Sequence, residues 1–274
     1  MVVKSKHGVR CFCAPVAALA AVLAVGGFTA SADAAGVLEA YWPLNETSGT
    51  MTMDLSGNGL DGTLQTGATL SAAGAPGFMS GAAFDGVDDQ ILIGPGNTTG
   101  LGNLTSDFTV MGWINPADLL GVQRIMGASP SAAWGFGING SNLRFTTFGV
   151  KDYEIPGPVL GNAWSHIAAV MDASFDTTFY LDGNLLGTIL HTASGNTTAN
   201  NFFLGTADGA AEHFNGSLDE LAIFSGALTQ EQVQNAKNFG ALNFNGLPVP
   251  EPATAALGLL AVGALGLVAR RRQA

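Results

Sequence analysis

The feature that most constrains the fold of this chain is a series of short apolar runs separated by turn-forming residues. The chain contains 38 glycines, and Gly, Asn, Asp and Ser bound most of the runs. Apolar runs of about four to eight residues with such boundaries are typical of β-strands. The clearest predicted strands are residues 38–42, 90–93, 108–114, 164–171, 178–181, 201–204 and 218–224.

Two stretches are apolar at both alternating positions, 108–114 and 167–171. This pattern indicates central strands that are covered on both faces. Between later runs, Asp182 and Gly183 predict a tight hairpin turn, because both residues tolerate the positive φ that such turns require.

One helix is predicted, near the C-terminal end of the strand region. Thr229 and Gln232 have the spacing of a capping box, Val233 and Ala236 supply an apolar stripe, and Gly240 can end the helix. Many short strands with a single short helix predict an all-β fold, a two-sheet antiparallel sandwich with one short C-terminal helix.

The N-terminus has the pattern of a secretory signal peptide, predicted to span residues 1–34. Basic residues precede an apolar stretch at 14–28, and small residues at 30–34 offer two cleavage sites. Both cysteines, Cys11 and Cys13, lie ahead of the apolar stretch. The mature chain is therefore expected to have no disulfide, so its stability must come from its core or from a bound metal ion.

The C-terminus, residues 248–274, combines three features in a fixed order. Pro250, Glu251 and Pro252 precede 17 uncharged residues, 253–269, and the basic residues 270–272 follow. A helix of that length spans about 25 Å, enough to cross a thin bilayer, and the arginines would stay on the cytoplasmic side. This order resembles the PEP-CTERM sorting signal of Gram-negative bacteria. The alternative is a plain membrane anchor behind a proline-rich linker.

The PEP-CTERM resemblance implies a partner and a destination. In that family an exosortase, a membrane transpeptidase, recognises the Pro-Glu-Pro sequence and removes the helix. The chain is then expected to cross the inner membrane, to be anchored transiently by residues 253–269, and to reach the cell surface or the exterior after processing.

Residues 36–246 remain as one predicted domain of strongly acidic character. All but two of the chain's 21 acidic residues fall in this span, against only four of its 10 basic residues. This charge argues against nucleic acid and against anionic membrane surfaces as partners. It is compatible with neutral polysaccharide, cationic partners or bound divalent cations.

Seven short motifs follow one another in this span. They are residues 41–50, 54–59 with 62–63, 83–89, 108–113, 164–168, 180–183, and 214–224 with 227–229. In this order they resemble LamG-like domains, which are jelly rolls of the concanavalin A-like lectin and glucanase superfamily. The resemblance implies a jelly-roll fold for nearly the whole domain. The chain departs from the family pattern in having no disulfide near the C-terminal end.

The resemblance raises the question of glycosidase activity, because the superfamily includes laminarinase-type enzymes. Those enzymes place their two carboxyls on one strand as Glu-x-Asp-x-x-Glu, a spacing that this chain lacks. Asp219 and Glu220 are adjacent, so in a regular strand they would face opposite sides. No Gly-x-Ser-x-Gly elbow is present. We therefore expect no catalytic residues and no enzymatic activity.

A structural calcium ion is predicted at the oxygen-rich loop 54–59. An EF-hand is excluded, because the twelfth position is Gln65 rather than a bidentate Glu. Jelly rolls bring their first and last strands together, and the resemblance implies calcium between the early loop and a late-strand aspartate. The expected ligands are Asp54, Asn58 and Asp219. The alternative is that Asp54 and Asn58 only cap turns.

The tryptophans divide into core and surface candidates. Trp42, Trp113 and Trp164 fall in apolar strands and are expected to fill the core. Trp134 lies in a glycine-rich stretch and is the predicted exposed ring for ligand stacking. His166, beside Trp164, is expected to be a structural, hydrogen-bonding histidine.

The sequence thus predicts an exported, non-catalytic module that binds carbohydrate or matrix at the envelope or in an exopolysaccharide layer. Two alternatives stay open, a structural matrix protein without a specific ligand and a glycan hydrolase or lyase.

We predict that the mature protein is shorter than the coding sequence at both ends. Intact-mass analysis of exported protein should give a first residue between Asp33 and Gly36 and a last residue near Pro252. Mature protein that retains the arginines at 270–272 would contradict the sorting-signal interpretation.

Overall fold

A computed structural model describes residues 36–94, 100–128, 133–191 and 201–246. The predicted signal peptide, the Pro250–Pro252 motif and the predicted helix at 253–269 all lie outside these ranges. Within them, no helix is both long and apolar enough to cross a membrane.

The described chain folds into sixteen strands and one α-helix, with α1 at Gln230–Phe239. The strands are β1 (Val37–Trp42), β2 (Met51–Thr52), β3 (Gly62–Gln65), β4 (Thr69–Ala73), β5 (Ser80–Asp85), β6 (Gln90–Ile93), β7 (Phe108–Pro116), β8 (Val122–Ala128), β9 (Trp134–Asn139), β10 (Asn142–Thr147), β11 (Lys151–Ile155), β12 (Ser165–Met171), β13 (Thr177–Leu181), β14 (Asn184–Ile189), β15 (Phe202–Leu204) and β16 (Asn215–Ser225).

The strands form two antiparallel sheets. The first sheet has the order β14-β13-β12-β7-β16-β5-β4, and the second has the order β11-β10-β9-β8-β15-β6-β3-β2. Strand β16 is the longest and lies in the middle of the first sheet. It pairs with β7 on one side, and on the other side with β5 at its start and β1 at its end. The predicted two-sheet sandwich is confirmed.

All seven predicted strands are present, with boundaries that differ by at most a few residues. The predicted hairpin turn joins β13 to β14, and both Asp182 and Gly183 have positive φ, 52° and 76°. The helix is also confirmed, because Thr229 and Gln232 form a complete capping box. The sequence prediction missed the meander β8–β11, whose strands are interrupted by glycines and charged residues.

Two apolar clusters hold these elements together. The main cluster fills the space between the sheets and includes Trp42, Trp134 and Phe202. The second lies on the outer face of the first sheet, where Val233 and Ala236 of α1 cover it. The central strands β7 and β12 of the first sheet are therefore buried on both faces, as the apolar pattern of residues 108–114 and 167–171 predicted.

A β-bulge at Asp219 and Glu220 interrupts β16. The register with β7 shifts between Asp219 and Ala222, and Glu220 has a φ of 53°. Leu218 and Leu221 on either side both face the inter-sheet core. Both acidic side chains therefore lie on the outer face, because a bulge adds a residue and breaks the alternation of a strand. The expectation that they face opposite sides is wrong.

Both carboxyls of the bulge are buried on this outer face. Asp219 is 0% exposed, and its Oδ2 accepts a hydrogen bond from the backbone N–H of Ala75 at 2.8 Å. The hydroxyl of Tyr41 donates to Glu220 Oε2. Burial raises the pKa of Asp219 to about 7 and that of Glu220 to about 8, although these hydrogen bonds act in the opposite direction.

We predict that these two carboxyls make the protein less stable at mildly alkaline than at mildly acidic pH. A carboxyl with a raised folded-state pKa stabilises the fold below its unfolded pKa, and this contribution is lost as pH rises through the folded value. The loss should therefore fall between about pH 4 and pH 8. If the fold raises the pKa of each carboxyl by one unit, the free energy of unfolding falls by ~3 kcal/mol over this range. For a domain of this size, that loss lowers the melting temperature by roughly 6–12 °C.

The measurement is thermal unfolding in chelator at mildly acidic and mildly alkaline pH. The variants Asp219→Asn and Glu220→Gln should flatten the pH dependence, whereas Glu231→Gln, an exposed carboxyl in the first turn of α1, should not. A wild-type midpoint that rises with pH would show that the pair is ionised in the native state.

Candidate functional site

Trp134 does not offer a binding surface. Its ring is 1% exposed, lies between the sheets against Phe108, Phe145 and Phe202, and donates Nε1–H to the Leu101 carbonyl at 3.0 Å. The prediction of an exposed Trp134 was wrong because alternation along β9 turns the tryptophan inward and the neighbouring glycines outward. The glycine-rich stretch thus signals a strand whose outer side is closely covered.

The other tryptophans lie in three different environments. Trp42 is in the inter-sheet core, as predicted. Trp113 is buried on the outer face of the first sheet, where its ring meets Phe78 and His166. Trp164 is only half-buried and lies just before β12.

His166 is buried on the outer face of the first sheet, the face that α1 covers. Burial lowers its pKa to about 3, so the ring is neutral. Its Nδ1 has no hydrogen-bond partner among the described residues, whereas the sequence interpretation expected a hydrogen-bonding ring. The ring instead packs edge-on against Trp113, with 5.5 Å between centroids.

Asp54 organises its own loop. Its Oδ1 accepts from the backbone N–H groups of Tyr41 at 3.0 Å and Ser56 at 2.8 Å. Its Oδ2 accepts from Ser56 Oγ at 2.7 Å and from the N–H of Leu60 at 3.0 Å. Four donors occupy the four lone-pair sites of a carboxylate, which leaves none for a cation.

The structure does not bring Asp54, Asn58 and Asp219 together. Tyr41 uses both its backbone N–H and its C=O to bond residues 54 and 55, so the loop lies along the edge of β1 that faces away from β16. Strand β1 therefore separates Asp54 from Asp219. Asn58 donates Nδ2–H to the Glu39 carbonyl at 2.9 Å. These residues do not fit one calcium site. The turn-capping alternative describes Asp54, whereas the side chain of Asn58 ties the loop to β1.

A cleft of about 320 Å³ lies at one end of the sandwich, where β5 and β7 end and β16 begins. Three chain connections surround it, between β5 and β6, between β7 and β8, and between β15 and β16. We call it the polar cleft. It is lined by Gly86, Asp118, Leu120, Val122, Gln123, Glu212, His213 and Asn215.

A closed network of hydrogen bonds holds the centre of the polar cleft. Asp118 Oδ2 accepts from Asn215 Nδ2 at 2.6 Å, and Asp118 Oδ1 accepts from Gln123 Nε2 at 3.0 Å. Gln123 Oε1 in turn accepts from the backbone N–H of Asn215 at 3.0 Å. The three side chains are thus fixed in orientation before any ligand arrives.

An ion pair fixes the wall of the polar cleft that the connection between β15 and β16 forms. Arg124 of β8, 2% exposed, donates Nε–H to Glu212 Oε2 at 2.7 Å and Nη1–H to the Gly135 carbonyl at 3.1 Å. Burial lowers the pKa of Arg124, and Glu212 opposes that shift. The pair holds the connection between β15 and β16 against the second sheet.

Several atoms of the polar cleft remain available. Among the described residues, no hydrogen bond uses Asn215 Oδ1, Glu212 Oε1 or His213 Nε2. At the rim, Leu120 is 77% exposed, and Val87, next to Gly86, is 72% exposed. The cleft therefore combines oriented polar atoms with a few exposed apolar side chains at its rim.

Sequence reasoning missed this site because its residues come from three separated segments. The segment 83–89 was noted only as a family motif, yet it places Asp85, Asp88 and Asp89 beside the cleft. One carboxylate oxygen from each of these lies within 4.8 Å of the other two. Three aspartates in five residues were the signal that could have identified the cluster.

Comparisons with known proteins agree with this architecture. Residues 248–272 match the PEP-CTERM protein-sorting motif, and no curated protein sequence matches the chain. Domain 4 of an extracellular arabinanase from Geobacillus stearothermophilus, solved in complex with arabinotriose, has a similar structure. Its TM-score is 0.57 at 22% identity, over 73% of this chain and 98% of that one.

Toxin binding domains are similar as well, and this chain spans about half of their length. The binding domain of botulinum neurotoxin DC, in complex with rat synaptotagmin II, has a TM-score of 0.57 at 15% identity, over 74% of this chain and 51% of that one. A botulinum neurotoxin type C structure, described as depending on two ganglioside molecules for cell entry, has a TM-score of 0.56 at 14% identity, over 74% and 50%.

At these identities the likeness shows the fold alone, but the sequence carries the family directly. The matching family model covers residues 85–234, more than half of the chain. The chain therefore belongs to the concanavalin A-like lectin/glucanases superfamily.

Proposed function

We propose that this protein is an exported, non-catalytic module that binds an uncharged glycan in the polar cleft. The observation that carries the proposal is the fixed Asp118–Gln123–Asn215 network beside unused polar atoms and an exposed apolar rim. A sugar presents hydroxyl groups to such atoms and a C–H face to such a rim. Because the network is already ordered, little conformational entropy would be lost on binding.

The charge of the domain supports an uncharged ligand. The net charge of the chain is −11, and the cleft itself contains two carboxylates, Asp118 and Glu212. A negative surface repels polyanions such as uronate polymers. The similar arabinanase domain, solved in complex with the neutral trisaccharide arabinotriose, supports an uncharged glycan as the class of ligand.

The same residues support a binding role rather than catalysis. Both oxygens of Asp118 accept hydrogen bonds from the protein, and Glu212 is paired with Arg124. A glycosidase needs two carboxyls that are free to protonate the leaving group and to attack or activate water. Asp219 and Glu220, which are adjacent in sequence, are buried on the outer face of the first sheet, the face that α1 covers.

The termini support export and attachment at the cell surface. The PEP-CTERM motif implies export and surface sorting. We propose that an exosortase-type transpeptidase cleaves near Pro250–Pro252 and removes the segment 253–269. The released module would then bind glycan of the envelope or of an exopolysaccharide layer, and its only membrane contact would be the C-terminal segment before processing.

A matched pair of leucine variants tests the cleft. Leu120 at the rim and Leu185 in β14 are 77% and 55% exposed, so neither truncation should disturb the core. Leu120→Ala should weaken binding by roughly tenfold or more, since burying a leucine against a ligand contributes ~1.5–3 kcal/mol. Leu185→Ala should leave binding unchanged.

The measurement is binding to an array of neutral oligosaccharides, including arabino-oligosaccharides and β-glucans, followed by titration of the best ligand. His213→Ala should also weaken binding. An array without any bound glycan would favour the structural matrix role, and release of shorter sugars would favour an enzyme. An equal loss in both leucine variants would place the ligand outside the polar cleft.

A further inference from the structure

The end of β5 and the connection from β5 to β6 carry three aspartates whose charge is not balanced by a salt bridge among the residues that the structure describes. One oxygen from each of Asp85, Asp88 and Asp89 lies within 4.8 Å of the other two. The salt bridges of the described residues involve Arg124 and Arg144, and none includes these aspartates. Three carboxylates this close repel one another unless a cation lies between them.

Asp89 supplies a second and independent observation. It is 4% exposed, and its Oδ2 accepts from the backbone N–H of Asp85 at 2.8 Å. Its Oδ1 is buried and has no hydrogen-bond partner in the described parts of the chain. A buried carboxylate oxygen without a donor is costly, whereas a metal ion would satisfy it.

The neighbouring turn leaves room for that oxygen. Gly67, between β3 and β4, has a φ of 131°, and a Cβ at this position would lie 2.5 Å from Asp89 Oδ1. Thr66 donates its hydroxyl to the Asp88 carbonyl, which ties the turn to the acidic connection. Burial, together with the charges of Asp85 and Asp88, raises the pKa of Asp89, whose hydrogen bond to Asp85 acts in the opposite direction.

We propose that Asp85, Asp88 and Asp89 bind a divalent cation, calcium in preference to magnesium. All three ligands are hard oxygens, as both ions prefer. Calcium accepts an irregular shell that water can complete around ligands from a surface loop, whereas magnesium requires a near-ideal octahedron and gives up its water reluctantly. Two exposed aspartates, Asp85 and Asp88, leave a route for the ion to enter.

The cation would stabilise one wall of the polar cleft. Gly86 lines the cleft and packs against Asn215, since a Cβ on Gly86 would lie 2.6 Å from that of Asn215. His213, on the opposite connection, has its Nδ1 3.4 Å from the Asp89 carbonyl. An ion held by Asp85, Asp88 and Asp89 would therefore order both the wall and its contact with His213. This proposal does not depend on glycan binding.

Calorimetric titration of the full-length chain tests the proposal directly. The protein is purified in mild detergent, freed of metal with chelator, and titrated with calcium chloride or magnesium chloride. We expect saturable calcium binding, weaker magnesium binding, and a rise in melting temperature of ~5–11 °C at a hundredfold excess over Kd. Asp88→Asn and Asp85→Asn should each weaken calcium binding at least tenfold, because the ion loses a charged ligand.

Two controls make the result specific. Glu231→Gln removes an exposed carboxyl from α1, and Asp219→Asn changes the aspartate that the sequence suggested as a ligand; both should bind calcium like the wild type. In chelator, Asp88→Asn should melt at or slightly above the wild-type midpoint, because one of the three repelling charges is removed, and such a midpoint shows that the variant is folded. Absence of binding up to about 10 mM calcium, beyond the range of weak extracellular sites, would overturn the proposal. Unchanged affinity in both Asp88→Asn and Asp85→Asn would do so equally.

Discussion

The antiparallel pairing of β16 is the constraint on which the rest of the structure depends. Its 11 residues pair with β7 along one side and with β5 and β1 along the other, so the first and last strands of the domain meet there. Most of its side chains are buried. Without disulfides in the described domain, this closure of the chain ends relies on backbone hydrogen bonds and apolar burial.

The start and the middle of β16 have different roles. At its start, Asn215 pairs with Asp85 and donates to Asp118, which links the acidic connection to the polar cleft. In its middle, the bulge turns Asp219 and Glu220 to the outer face of the first sheet, the face that α1 covers. Burying two carboxyls side by side has a cost, and the hydrogen bonds from Ala75 and Tyr41 offset part of it.

The two sheets form a rigid scaffold, and the polar residues of the proposed site lie in or beside the connections between strands. This arrangement is common for binding proteins. Two partly buried interactions orient the cleft, the Arg124–Glu212 pair and the Asp118–Gln123–Asn215 network. A cation at Asp85, Asp88 and Asp89 would order the remaining wall. With an acidic surface and a PEP-CTERM motif, this arrangement suits a module that is exported and then meets uncharged polymer outside the cell.

Local sequence patterns determined the elements of this protein. Short apolar runs bounded by turn residues identified seven strands, the capping box of Thr229 and Gln232 identified α1, and the Asp182-Gly183 pair identified a hairpin, because each depends on residues that are close in the chain. The seven motifs, in their order along the chain, were sufficient to identify the family. The C-terminal sorting motif is likewise local in sequence, and residues 248–272 match it.

Only the tertiary structure decided which side chains meet and which face solvent. Strand register turned Trp134 inward, and a one-residue bulge reversed the expected side of Glu220. The position of β1 kept Asp54 away from Asp219. The polar cleft joins residues about a hundred positions apart, such as Asp118 and Asn215. Local patterns specify how a segment folds, but sheet pairing, which is long-range, specifies which segments become neighbours.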